Sequence, residues 1–301
     1  MMDCRGLGYL VIETPDRDEW ERYLEGVVGL MPDSGPEGAE PNSSHFRMDD
    51  RIYRISVTTA SQETYVAGWE LPNEGAWRAA ISALETAGVA VLTCDSSEAK
   101  LRGVSGLAKF VDPFDNAIEI FWGQFVTETP FESPQGVTAF CAGPLGVGHL
   151  LYVVPSCDQA VKFYRDLLGF QVTDYFVWGD KSAWFLRCNE RHHTVAFVDL
   201  PIPGGFGLSH FMVEAQTLGD VGRALDRATD AKIEIINSLG QHSNDKCTSF
   251  YMRTPGRTNA EVGVGQLRID DATWEVIAWS GRGDYWGHRG PLMDEIADAK
   301  V

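Results

Sequence analysis

Three residues on separate apolar runs could together do metal chemistry. They are His149 in Gly148-His149-Leu150, His210 in Ser209-His210-Phe211, and Glu261, six residues beyond Pro255. Two imidazoles and one carboxylate make a facial triad that leaves coordination positions open for reactants. Structural zinc sites favour closed sets with Cys or a third His, and Ca²⁺ or Mg²⁺ wants more oxygens, so iron suits this set better. The stretch from Gln241 to Gly263, QHSNDKCTSFYMRTPGRTNAEVG, places His242, Asn244, Asp245 and Tyr251 just ahead of the Thr254-Pro255 corner. A lone histidine on an apolar strand is usually a satisfied core residue. The case for chemistry therefore rests on how the chain arranges several of them.

That arrangement follows from an internal repeat. Gly8-Tyr9-Leu10-Val11-Ile12 lines up with Gly148-His149-Leu150-Leu151-Tyr152 at an offset of 140, and Gly29-Leu30 with Gly169-Phe170 in the same register. Asp50-Arg51-Ile52-Tyr53 falls on Glu190-Arg191-His192-His193, still at 140. Gly68-Trp69-Glu70 meets Ser209-His210-Phe211 one residue out of step, and Asp112-Pro113 meets Thr254-Pro255. The chain reads as a tandem duplication. Tyr9 stands opposite His149, Tyr53 opposite His193 and Trp69 opposite His210, whereas Glu119 and Glu261 keep the carboxylate in both copies. Copy one is thus expected to bind no metal through these positions.

Each copy divides again into two β-α-β-β-β units. In copy two, Val147 to Val154 is a strand, Ser156 caps a helix carrying Val161, Tyr164, Leu167 and Leu168 on one face, and Gly169 stops it. Strands at 171–177, 182–187 and 194–198 complete that unit. The next starts with a strand at 207–213 and a helix from Leu218 to Ala228, then strands at 232–236, 247–253 and 260–265. In copy one the second helix spans Glu74 to Thr86, with Trp77, Ile81 and Leu84 inward and Gly88 as the stop. Residues 124–146, rich in Pro, Gly and Thr, read as the linker. The tail after Asp270, with Trp274, Trp279 and Trp286, predicts a strand and a packed arm. The expected fold is α+β, four βαβββ modules forming domains 1–135 and 136–301.

Bulk properties narrow the partners. The 301 residues carry a formal charge of -18, which repels phosphate backbones and anionic membranes, so nucleic acid is not expected. No apolar run approaches the roughly 20 residues of a membrane span, and the N-terminus lacks a signal-peptide pattern. Six cysteines without a CxxC pair read as reduced thiols of a cytoplasmic protein.

The triad, the run GQHSNDKCTSFYMRTP, the stretch NERHHT and the WGH near the end together resemble the two-domain type I extradiol catechol dioxygenases. These belong to the vicinal-oxygen-chelate superfamily, whose modules pair into half-barrels. The match is close to the enzymes that open 2,3-dihydroxybiphenyl. The resemblance implies His149, His210 and Glu261 as ligands of Fe(II), with Mn(II) open as a replacement, and O₂ as co-substrate. It implies His193 as the acid/base group, His242 as a hydrogen-bonding residue at the site margin and Tyr251 as a contact for a substrate oxygen. Asn244 and Asp245 would shape that wall, and the bulky Leu151 and Phe185 would favour an aryl or polycyclic catechol. Dihydroxynaphthalene-like and steroid-derived catechols stay open beside it, as do a non-oxygenase vicinal-oxygen-chelate reaction and a binding module without catalysis. His192 is expected at the surface or behind His193, and His288 as a structural residue. One departure from the family pattern is a glycine shifted by one in Pro255-Gly256-Arg257-Thr258-Asn259-Ala260, with the spacing to Glu261 kept. The expected product is a ring-opened semialdehyde or dienoic keto acid, and the expected assembly a homo-oligomer.

Overall fold

The computed structural model describes residues 2–39, 41–200 and 205–290. The end of the expected C-terminal domain, 291–301, lies outside the described residues. The first unit of copy one contains β1 (Gly6–Thr14), α1 (Arg17–Tyr23), β2 (Met31–Asp33), β3 (Ser43–Arg47) and β4 (Ile55–Thr59). The second contains β5 (Thr64–Leu71), α2 (Glu74–Thr86), β6 (Leu92–Thr93), α3 (Ser96–Leu101), β7 (Gly106–Val111) and β8 (Ala117–Trp122). Copy two repeats the order with β9 (Gly148–Val153), α4 (Cys157–Asp166), β10 (Gln171–Trp178), β11 (Lys181–Arg187) and β12 (Val195–Val198). It continues with β13 (Gly207–Glu214), α5 (Leu218–Asp230), β14 (Ile235–His242), β15 (Thr248–Arg253) and β16 (Asn259–Val264), then β17 (Ile277–Trp279) and β18 (Asp284–Trp286).

The βαβββ order is the expected one, with local differences. Helix α3 was not foreseen. It is six residues long, too short for an apolar period, and is fixed by a capping box in which Asp95 and Glu98 each satisfy the other's backbone. Ala80, rather than Ile81, joins Trp77 and Leu84 on the buried face of α2. The strand expected at 232–236 starts three residues later and runs to His242. Lys232 has a positive φ, so the chain is still turning there. The tail holds two short strands rather than one.

The strands form an eight-stranded sheet in the order β2-β3-β4-β1-β5-β8-β7-β6 and a ten-stranded sheet in the order β17-β10-β11-β12-β9-β13-β16-β15-β14-β18. In each, two modules join through antiparallel first strands, β1 with β5 and β9 with β13. This is the vicinal-oxygen-chelate fold. Contacts divide the chain into Met1–Val147 with Lys162–Phe170, and Gly148–Val161 with the residues from Gln171 on. The segment read as a linker is therefore grouped with the first unit. Arg47 donates to the Thr129 carbonyl at 2.7 Å and Arg54 to that of Gly143 at 2.7 Å, which lays the segment against its own copy.

In the second unit the tail shows that the sheet must curl. β17 and β18 lie at opposite edges, about 43 Å apart if nine inter-strand gaps of about 4.8 Å lay flat. Only five residue-to-residue steps lead from Trp279 to Asp284, a reach of at most about 18 Å. The edges must therefore approach each other round a concave face. Bonds from this arm reach both of them: the Trp178 indole donates to the Gly281 carbonyl at 3.2 Å, and Ser243 N to that of Gly283 at 2.8 Å.

Candidate metal centre

Strand register decides which side chains meet. His149 on β9 pairs with Met212 on β13, Met212 with Glu261 on β16, and Glu261 with Tyr251 on β15. Residues in one such row point to one face, and so does His210, two positions before Met212. His149 Nε2 lies 3.1 Å and His210 Nε2 3.5 Å from Glu261 Oε2, and the two imidazole nitrogens are 3.2 Å apart. All three residues are buried, and their ligand atoms lie within 4.8 Å of one another.

The chemistry of these donors suits a cation. Neither oxygen of Glu261 receives a well-directed hydrogen bond, although the residue is fully buried. An unpaired buried carboxylate is costly, and a metal is the partner that two facing imidazole nitrogens and a carboxylate can share. Burial alone would raise the Glu261 carboxyl, but His149 and His242 outweigh it and hold it well below the usual range. Burial pushes His210 down to about 3, so it is neutral, as a ligand must be.

Two further imidazoles flank the triad. His193 lines the same cavity, its ring 4.0 Å from that of His149, and burial followed by its neighbours His149 and His192 takes it well below its ordinary value. His242 behaves in the opposite way. Burial would lower it, but Asp284 at 3.0 Å from Nδ1 and Glu261 at 3.6 Å from Nε2 prevail and raise it well above. His242 Nε2 meets the Tyr251 hydroxyl at 2.8 Å, and burial, then Glu261, keep that phenol protonated. Asp284 is held at about 2: burial opposes this, and bonds to His242 and His288 overcome it. His288 is fully buried between Asp284 at 2.7 Å and the Ser249 carbonyl at 3.0 Å.

Leu151, Phe185, Asn244 and Asp245 all line the cavity. The sequence reading missed Phe176 and Trp178, whose alternation on β10 was the available signal. It also missed Gln266, which reaches toward His149, His193 and Asp245 at 3.4 Å each. His192 is not at the surface; it is fully buried against His193. The shifted glycine does not open its loop, since Thr254 Oγ1 closes it on the Thr258 carbonyl at 2.8 Å.

Copy one shows what the same scaffold does without the triad. Tyr9, Gly68, Glu119 and Lys109 occupy the row that corresponds to His149, Met212, Glu261 and Tyr251. Counting from this row, Val66 rather than Trp69 stands where His210 does. The two registers differ because the bulge falls at Gly8 on β1 but at Ser209 on β13. Tyr9, Tyr53 and Val66 belong to one apolar cluster. Glu119 accepts from the Tyr9 hydroxyl at 2.6 Å and from Arg102 at 3.0 Å, so a guanidinium supplies its positive charge.

Comparisons with known proteins define the class first. The family model of the Glyoxalase/Bleomycin resistance protein/Dioxygenase superfamily matches residues 146–262, and that of Dihydroxybiphenyl dioxygenase BphC D1 matches residues 7–59. The chain is 38% identical over 303 residues to the biphenyl-2,3-diol 1,2-dioxygenase of Paraburkholderia xenovorans, covering 98% of each chain. It is 33% identical to the iron-dependent extradiol dioxygenase of Rhodococcus jostii, covering 95% of this chain and 97% of the relative. A solved halotolerant catechol dioxygenase superposes with a TM-score of 0.89 at 32% identity, covering 98% of this chain and 97% of its own. This chain belongs to the type I extradiol dioxygenase family.

Proposed function

We propose that the chain opens an aryl or polycyclic catechol of the 2,3-dihydroxybiphenyl type beside its diol, using O₂ and one Fe(II) held by His149, His210 and Glu261. The observation that carries this reading is the convergence of three buried donors, with unpaired carboxylate oxygens, on an apolar cavity also lined by His193, His242 and Tyr251. When bound, Fe(II) supplies open positions for both reactants and favours the ionised form of a chelated hydroxyl. The relative in Rhodococcus jostii is named as iron-dependent, which supports iron over manganese.

The protein groups divide the remaining work. His193, kept neutral by burial and facing the cavity, takes a hydroxyl proton from the catechol and returns it later. Tyr251, protonated and held by His242, donates to a substrate oxygen. The positive charge of His242 is matched by Asp284, so a divalent ion with Glu261 leaves one net positive charge for a monoanionic catechol. Leu151 and Phe185, with Phe176 and Trp178, provide an apolar wall for a second ring and exclude water. In this reading residues 1–135 form the metal-free copy and 136–301 the catalytic one. The charge of -18 and the free cysteines support a cytoplasmic enzyme of small molecules rather than a nucleic-acid binder.

The test is anaerobic loading with Fe(II) followed by 2,3-dihydroxybiphenyl in air, with visible spectra and product mass recorded. A yellow product carrying both atoms of O₂, absent in His210→Ala, is expected. An iron-loaded chain that leaves this and other catechols intact would overturn the proposal.

A further inference from the structure

We infer that His192 and Asp174 form a buried positioning pair that fixes the tautomer of His193 and leaves its Nε2 as a bare acceptor toward the cavity. The functional importance of this pair rests on His193 being the acid/base residue, as proposed above; the tautomer assignment does not. His192 and Asp174 are both fully buried. His192 Nε2 lies 3.1 Å from Asp174 Oδ2, and His192 Nδ1 lies 3.1 Å from His193 Nδ1. Asp174 sits where the pairing of β10 with β11 shifts register, which redirects its side chain, and the tail holds it there through the Trp279 indole at 2.6 Å.

The proton positions follow in sequence. An ionised carboxylate only accepts, so His192 Nε2 carries the hydrogen. A neutral imidazole has one N–H, so His192 Nδ1 is a lone pair. The contact between the two Nδ1 atoms needs one hydrogen, which His193 must supply. His193 Nε2 is then unprotonated, and among the described residues it meets no hydrogen-bond partner.

Asp174 already receives the Trp279 indole and, at 3.5 Å, the Asn244 amide. The remaining ring neighbours of His192 are the edge-on rings of Phe185 and Trp274. His193 is faced by the His149 ring, by Asp245 at 4.0 Å and by Gln266 Nε2 at 3.4 Å from Nδ1. The two hydrogens of Gln266 Nε2 have other acceptors, Asp245 Oδ2 at 3.4 Å and the His193 carbonyl at 3.5 Å. They do not require the His193 lone pair.

Long-range ¹H–¹⁵N spectra of the ¹⁵N-histidine-labelled full chain, loaded with diamagnetic Zn²⁺, read the tautomers directly. His192 is expected as Nε2–H and His193 as Nδ1–H. A cationic His192, or His193 carrying its hydrogen on Nε2, overturns the inference whether or not any variant folds. His192→Phe is expected to mix the His193 tautomers and lower kcat at least about 100-fold, with KM little changed. His192→Gln, which keeps an acceptor for His193 Nδ1, should recover most of that loss. A role confined to packing would leave the His193 tautomer unmoved in His192→Phe. The predicted tautomers in a protein whose His193→Ala form keeps the native rate would instead remove the acid/base reading and leave the tautomer assignment standing.

Discussion

Glu119 and Glu261 are the same residue type at equivalent points of two copies, yet they meet different partners. Glu119 is bonded by Tyr9 and Arg102, whereas Glu261 faces two imidazoles and an open cavity. The histidines, with no guanidinium bonded to Glu261 among the described residues, suit it rather than Glu119 to ligate a metal. Glu261→Gln should therefore lose the metal, read by metal analysis after gel filtration. Glu119→Gln should keep one metal per chain but cost about 3 kcal/mol in urea unfolding, because it leaves Arg102 without its carboxylate. Equal loss of metal in both variants would contradict this division between the copies.

At the scale of elements, the register of β9 against β13 aims the triad. Gly148 opens β9 with φ at 155°, and a Cβ there would stand 2.0 Å from the Met212 carbonyl oxygen. That obstacle is backbone, so Gly148→Ala must push β9 off its neighbour next to His149. The expected cost is about 2 kcal/mol or more, with weaker metal retention. Gly222 is the control: it lies in α5 with nothing near its would-be Cβ. Gly222→Ala should stabilise by about 0.5–1 kcal/mol and leave metal content unchanged. Two thermal melts and two metal assays decide the matter.

For the whole molecule, stability should depend on pH through a residue remote from the triad. Burial, followed by the charge of Arg102, pushes His45 in copy one down to about 4. Above about pH 6.5 neither the folded nor the unfolded chain protonates this ring, and it contributes nothing. Between about 6.5 and 4 the unfolded chain binds a proton that the folded chain refuses, so stability falls as pH falls. The loss amounts to about 3 kcal/mol across that window. His45→Gln should lessen the slope in urea titrations at pH 7, 5.5 and 4.5, the buried His193 and His210 supplying the rest; an unchanged slope would exclude His45.

The duplication, the βαβββ order and the triad with its flanking histidines were all legible in the sequence. They rest on local periodicity and on changes of residue type between two copies of one scaffold. Sequence offset could not reveal that the β-bulge lies on opposite strands in the two copies, so it matched His210 with Trp69 instead of Val66. It also could not reveal that the tail closes the sheet from both edges, with Trp279 on Asp174 and Asp284 on His242. Those pairs are separated by 105 and 42 positions, and no spacing rule joins them. By itself the sequence determined which side chains of metal-binding and proton-carrying type share one face, because that depends on residue type and strand period. Only the tertiary structure decided which histidine is neutral, which is charged and which way each ring faces, because burial and the nearest carboxylate set those states.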